Sequence, residues 1–123
     1  MLEAGRIPIH HAAAALRIHL VNPNTTRSMT DTIAAAARAV AAPGTEILAA
    51  TSAMGPASIE GHYDDALALP GLLAAIGEAE AAGVDAHIIA CFDDTGLEAA
   101  RTLARAPVVG IGEAGFHMAS LLA

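Results

Sequence analysis

Ala86-His87-Ile88-Ile89-Ala90-Cys91-Phe92-Asp93-Asp94-Thr95-Gly96-Leu97-Glu98 joins a strand signal to a helix signal across the only cysteine of the chain. The apolar, β-branched run up to Ala90 predicts a short buried strand. Thr95-Gly96-Leu97-Glu98 has the Thr-x-x-Glu spacing of a helix capping box. Cys91 is therefore expected at the carboxyl end of a strand, close to the free N–H groups of the helix that follows. That position favours the thiolate, and with it acid, base or nucleophile chemistry. The bland alternative is a small buried hydrophobe.

The same strand-turn-helix grammar recurs on both sides. Residues 16–21 alternate and then turn apolar before Asn22-Pro23-Asn24 stops the run, which makes a first strand. Thr25 or Thr26 is placed to cap a helix with apolar positions Met29, Ile33, Ala37 and Val40, ending before Pro43-Gly44. Residues 46–51 read as a second strand, and 52–61 as a long irregular loop at its carboxyl end. Such loops are usually functional or mobile. A helix capped at Asp64-Asp65 should follow as far as Gly83, kinked or split at Pro70. After the central stretch come a helix with Arg101 and Arg105 near its end, a strand over 107–111 and a last helix over 113–122. Residues 1–15 have no clean period and are expected to form a loosely ordered extension ahead of the lobe at 16–123.

A βαβαβαβα order predicts an α/β fold: a doubly wound, four-stranded parallel sheet with helices on both faces. The expected strand order is 2-1-3-4. Ligands of such sheets bind beyond the carboxyl ends of the strands, where the winding reverses between strands one and three. The segments carrying Asn24 and Thr25, Ser52, and Cys91, Phe92 and Asp93 should converge there. Asn22, Asn24 and Thr25 read equally well as the turn and N-cap of the first helix.

Composition excludes several classes of function. Apolar residues are 54% of the 123, yet Tyr63, Phe92 and Phe116 are the only aromatics, so the core must be aliphatic and the helices closely packed. A net charge of -7 argues against nucleic acid, which needs clustered positive charge. Arg6, Arg17, Arg27, Arg38, Arg101 and Arg105 carry all the positive side chains, and there is no lysine. A pyridoxal Schiff base and a P-loop are both excluded. One cysteine forms no internal disulfide, no apolar run approaches the roughly 20 residues of a membrane span, and residues 7–21 are too interrupted for a signal-peptide core. The expectation is a cytoplasmic protein with no membrane partner. The histidines are scattered and predict no metal site. Gly110-Ile111-Gly112 lacks the third glycine of a dinucleotide loop and follows the wrong strand.

Four segments in order carry a family resemblance. They are Ile18-His19-Leu20-Val21-Asn22-Pro23-Asn24-Thr25-Thr26, Met54-Gly55-Pro56-Ala57-Ser58-Ile59-Glu60-Gly61, Ala90-Cys91-Phe92-Asp93-Asp94-Thr95-Gly96-Leu97 and Pro107-Val108-Val109-Gly110-Ile111-Gly112-Glu113-Ala114. From about Leu16 onward the chain resembles the Asp/Glu/hydantoin racemase superfamily, and most of all its hydantoin and allantoin racemase branch. The resemblance implies two similar α/β lobes with the substrate between them. It implies no cofactor, and two cysteines, one per lobe, that remove and return the α-proton on opposite faces of a carbon. Cys91 matches the first cysteine. The second belongs to a second lobe, so the chain is similar to the amino-terminal half.

By the same resemblance the substrate is a small molecule: a hydantoin, allantoin or an amino-acid derivative. Backbone amides of Phe92 and Asp93 are candidate donors to a developing enolate oxygen, and Asn24, Thr25 and Ser52 candidate contacts for the polar edge of the substrate. The competing expectation is a non-catalytic fragment or small-molecule-binding α/β module. A homodimer or a second lobe is expected to cover the rim and the face of the last helix that bears Phe116, Ala119 and Leu122.

Overall fold

The computed structural model describes residues 15–123. The expected loose extension falls on residues outside that range, apart from Ala15. Among the described residues eight elements alternate: β1 (Arg17–Asn22), α1 (Arg27–Val40), β2 (Glu46–Thr51), α2 (His62–Ala81), β3 (Ala86–Ile89), α3 (Leu97–Leu103), β4 (Val108–Gly110) and α4 (Ile111–Leu122). The four strands pair in parallel in the order β2-β1-β3-β4, as the alternation of strand and helix signals predicts.

Side-chain alternation along the strands divides the core in two. Leu20, Ile47 and Ala90, with Ile18, Ile33, Ala37 and Ile88, pack beneath α1. On the opposite face Val21 and Ile89 pack against Leu72 and Ile76 of α2, Leu97 and Ala100 of α3, and Val108. The expected α1 stripe is half right, since Ile33 and Ala37 pack on the sheet while Met29 and Val40 lie exposed. An apolar cavity of about 600 Å³ lies on the α1 face, lined in part by Leu16, Ile18, Val40, Ile88 and Ile111.

The starts of α2, α3 and α4 differ from the sequence reading, and the hydroxyls of Thr26 and Thr95, expected to cap helices, are bonded elsewhere. The capping box at Thr95 does not form. The N-cap of α3 is Gly96, in the left-handed region at φ 69°, and no side chain caps it, while the Thr95 hydroxyl donates to Asp65 Oδ1 at 2.6 Å. The N-cap of α1 is Thr26, but its hydroxyl donates to the Ala57 carbonyl at 2.7 Å. Helix α2 begins at His62, ahead of the expected Asp64-Asp65 cap. It runs through Pro70 without a break, because the Ala66 carbonyl that a proline leaves unbonded is on the solvent side. The last helix starts at Ile111, directly from β4.

Candidate active site

β3 ends two residues before Cys91, and the Ala90 amide still donates to the Val21 carbonyl at 2.8 Å. The chain then folds back, with the Asp94 amide donating to the Cys91 carbonyl at 2.9 Å. Asp94 itself lies at φ 53°, a conformation that side chains other than those of Gly, Asn and Asp rarely adopt. Its carboxylate accepts from the amides of Gly112 at 2.9 Å and Glu113 at 2.8 Å, so an acid on the Cys91 loop caps α4. This explains Gly110-Ile111-Gly112 without a nucleotide: a Cβ at Gly110 would collide with the Asp94 carboxylate, and one at Gly112 with the Phe92 carbonyl.

Cys91 is half-buried against the α2–α3 side of the core. Its Sγ lies 3.5 Å from the hydroxyl of Thr95, which is buried and joined to Asp65 of α2. The group against the sulfur is therefore a side-chain hydroxyl, not the helix amide that the spacing led us to expect. Phe92 and Asp93 follow on the same turn, both exposed, and the Phe92 ring sits 5.4 Å from that of Phe116. Among the described residues no backbone carbonyl accepts from the Phe92 or Asp93 amide.

The other two segments reach the same rim. The Ser52 amide donates to the Asn22 carbonyl at 3.0 Å, extending the β1–β2 pairing, and the Thr25 amide donates to the Pro56 carbonyl at 3.1 Å. The long loop after β2 is thus fastened onto the start of α1. Asn24 is buried, with its Oδ1 accepting from Asn22 Nδ2 at 2.7 Å and from the Thr26 amide at 2.9 Å. Its Nδ2 points at Met29 Sδ, 3.4 Å away. Ser52 is buried too, its hydroxyl donating to the Met54 carbonyl at 2.8 Å. In this state Asn24 and Ser52 hold loops in place, whereas Thr25, Phe92 and Asp93 are the candidates with surface open to solvent.

Sequence reasoning missed Thr95 and Asp65 as neighbours of the thiol, and it treated the histidines as scattered. In fact His19 and His87 are register partners on β1 and β3, and their Nδ1 atoms meet at 2.9 Å inside the sheet. His87 Nε2 also bonds Glu80 Oε1 at 2.8 Å. Burial, and then the positive charge of His87, lower the His19 pKa to about 4. The His87 hydrogen bond, joined by backbone donors, holds the Glu80 carboxyl below its ordinary range. A position-by-position count of the two strands was the available signal, because each histidine falls on the face that α2 covers.

The Asp/Glu/Hydantoin racemase family model matches residues 18–123. A hydantoin racemase from Pseudomonas sp. (strain NS671) is 48% identical over 108 residues, which is 88% of this chain and 43% of that protein. One from Rhizobium meliloti is 49% identical over 104 residues, 85% of this chain and 43% of its own length. Among solved structures, an allantoin racemase from Klebsiella pneumoniae superposes with a TM-score of 0.85 at 57% identity, covering 87% of this chain and 44% of that one. The chain therefore spans less than half the length of the relatives it matches. With Cys91 at the switch point of a 2-1-3-4 parallel sheet, these likenesses converge: the chain belongs to the Asp/Glu/hydantoin racemase family.

Proposed function

We propose that this chain forms one lobe of a cofactor-independent racemase acting on the acidic C–H beside a carbonyl of a hydantoin, allantoin or related amino-acid derivative, with Cys91 as one of two acid/base thiols. The observation that carries the reading is the half-buried Cys91 sulfur on a tight turn at the carboxyl end of β3, within the residues that the family model matches. The sulfur exchanges a proton with the substrate carbon on one face. As the C–H bond breaks, its electron pair moves towards the carbonyl and leaves charge on oxygen. The amides of Phe92 and Asp93, which no backbone carbonyl among the described residues engages, are candidate donors to that oxygen, and Thr25 contributes to the same rim. Inversion needs a second acid on the opposite face, and this chain has one cysteine.

Incubation with a single enantiomer of a 5-substituted hydantoin in deuterated water tests the proposal. Exchange of the α-proton that is abolished by Cys91→Ser is the expected result. The single cysteine also favours a second reading, in which the lobe binds hydantoins without moving a proton. Measurable binding in calorimetry with no exchange would select that one.

A further inference from the structure

Thr95 is 1% exposed, and its hydroxyl has a single proton to give. That proton goes to Oδ1 of Asp65 at 2.6 Å. What Thr95 then turns towards Cys91 Sγ, 3.5 Å away, is a lone pair. The contact is made by an S–H that donates, and ionising the sulfur removes it. A thiolate in the same place would face an oxygen with no proton to offer and, beyond it, a carboxylate of its own sign. The other acids on the elements around the sulfur are engaged elsewhere. Asp64 accepts from the Glu60 amide, Asp94 from the first amides of α4, Glu98 from Arg101 and Glu80 from His87. Asp93, His62 and Tyr63 are exposed.

We infer that Asp65, acting through Thr95, is a positioning residue that keeps a proton on Cys91 and aims it, so that Cys91 enters the reaction as the proton donor of its pair. The inference rests on the acid/base reading of Cys91. In the donating step the S–H bond breaks and its electron pair stays on sulfur, while the enolate's electron pair forms the new C–H bond. The Thr95 hydroxyl can then rotate off Asp65 and donate to the new thiolate. In the return direction both moves reverse.

Iodoacetamide alkylates the thiolate and the chain has one cysteine, so its rate against pH follows the proton on sulfur. Asp65→Asn keeps the size, removes the charge and brings an amide N–H that can donate to the Thr95 oxygen, which frees the Thr95 proton for sulfur. Half-maximal alkylation should move down by about one pH unit, or about tenfold faster reaction below the midpoint. Thr95→Ser, which keeps the hydroxyl, should retain the unaltered profile. An Asp65→Asn profile that stays in place or moves up overturns the inference. If that variant does not fold, the infrared spectrum of the unaltered chain decides. An S–H stretching band lowered by hydrogen bonding at neutral pH supports the arrangement, and a free-thiol band or none overturns it. Neither measurement uses a hydantoin. A failed exchange assay with a shifted profile therefore removes the racemase reading alone, and an unshifted profile with intact exchange removes the role of Asp65 alone.

Discussion

The imidazoles of His19 and His87 meet edge to face, Nδ1 against Nδ1 at 2.9 Å, between neighbouring strands and under α2. One of the two nitrogens must present a lone pair, so in this geometry the two imidazoles cannot both be protonated. The unfolded chain protonates His19 near pH 6.5, and the folded chain only at about 4. As pH falls through that window the unfolded state binds more protons, so stability is full above 6.5 and is lost towards 4. Glu80, held below the ordinary carboxylate range by His87, acts in the same sense at lower pH, its contribution present above that range and lost as its carboxylate protonates. The His19 contribution is up to about 3 kcal/mol. Urea unfolding at pH 7 and pH 4.5 should show the loss, and His19→Gln should flatten it.

Asp94→Ala releases the amides of Gly112 and Glu113. Losing a cap of this kind costs about 1–2 kcal/mol. Hydrogen exchange at those two amides should accelerate in step with the drop in denaturation midpoint. Asp94→Asn, which still accepts one bond, should lose less. An unchanged midpoint and unchanged exchange in Asp94→Ala would deny the carboxylate its role as a cap.

Gly71 sits mid-helix in α2, where alanine is ordinarily the better residue by up to about 1 kcal/mol. Here the sign should reverse. A Cβ at Gly71 would strike the Ser52 hydroxyl and come within 2.5 Å of the Met54 carbonyl, backbone that cannot swing away. Gly71→Ala is expected to destabilise by roughly 1–3 kcal/mol. Thermal unfolding checks this, and a stabilised variant would mean that the loop after β2 yields easily.

Phe116, Leu121 and Leu122 of α4 are 67%, 66% and 86% exposed, and an apolar cavity opens on the α1 face of the sheet. Apolar surface of this kind on one side of a small chain usually marks an interface. The isolated 123-residue chain is expected to self-associate, most simply as a twofold dimer. Sedimentation at micromolar concentration should show it, and Leu122→Glu with Phe116→Glu should return the monomer. A monomer whose unfolding temperature does not change with concentration would refute the expectation.

The sheet order was legible because each apolar run ends in its own punctuation, Asn22-Pro23-Asn24 after β1 and Pro43-Gly44 before β2, and because the helices between leave only parallel pairing. Helix starts were less legible because their competitors lie far along the chain. Thr95 is drawn off by Asp65, 30 residues earlier, and α4 is capped by Asp94, 18 residues before Gly112. No local spacing encodes either bond. The rim segments were readable as a set, but the inward turn of Asn24 and Ser52 depends on neighbours that only the folded loops provide.

Because Asp94 belongs to the turn that carries Cys91 and also grips the first amides of α4, that turn and the last helix are mechanically one part. Helix α4 has 12 residues, a lever about 18 Å long pivoting on Gly112. A load that displaced its far end by about 3 Å would rotate the pivot by about 10°, and the carboxylate would pass that motion to the turn beneath the sulfur. Whatever seats itself against Phe116 and Leu122 thus has a handle on the aim of Cys91.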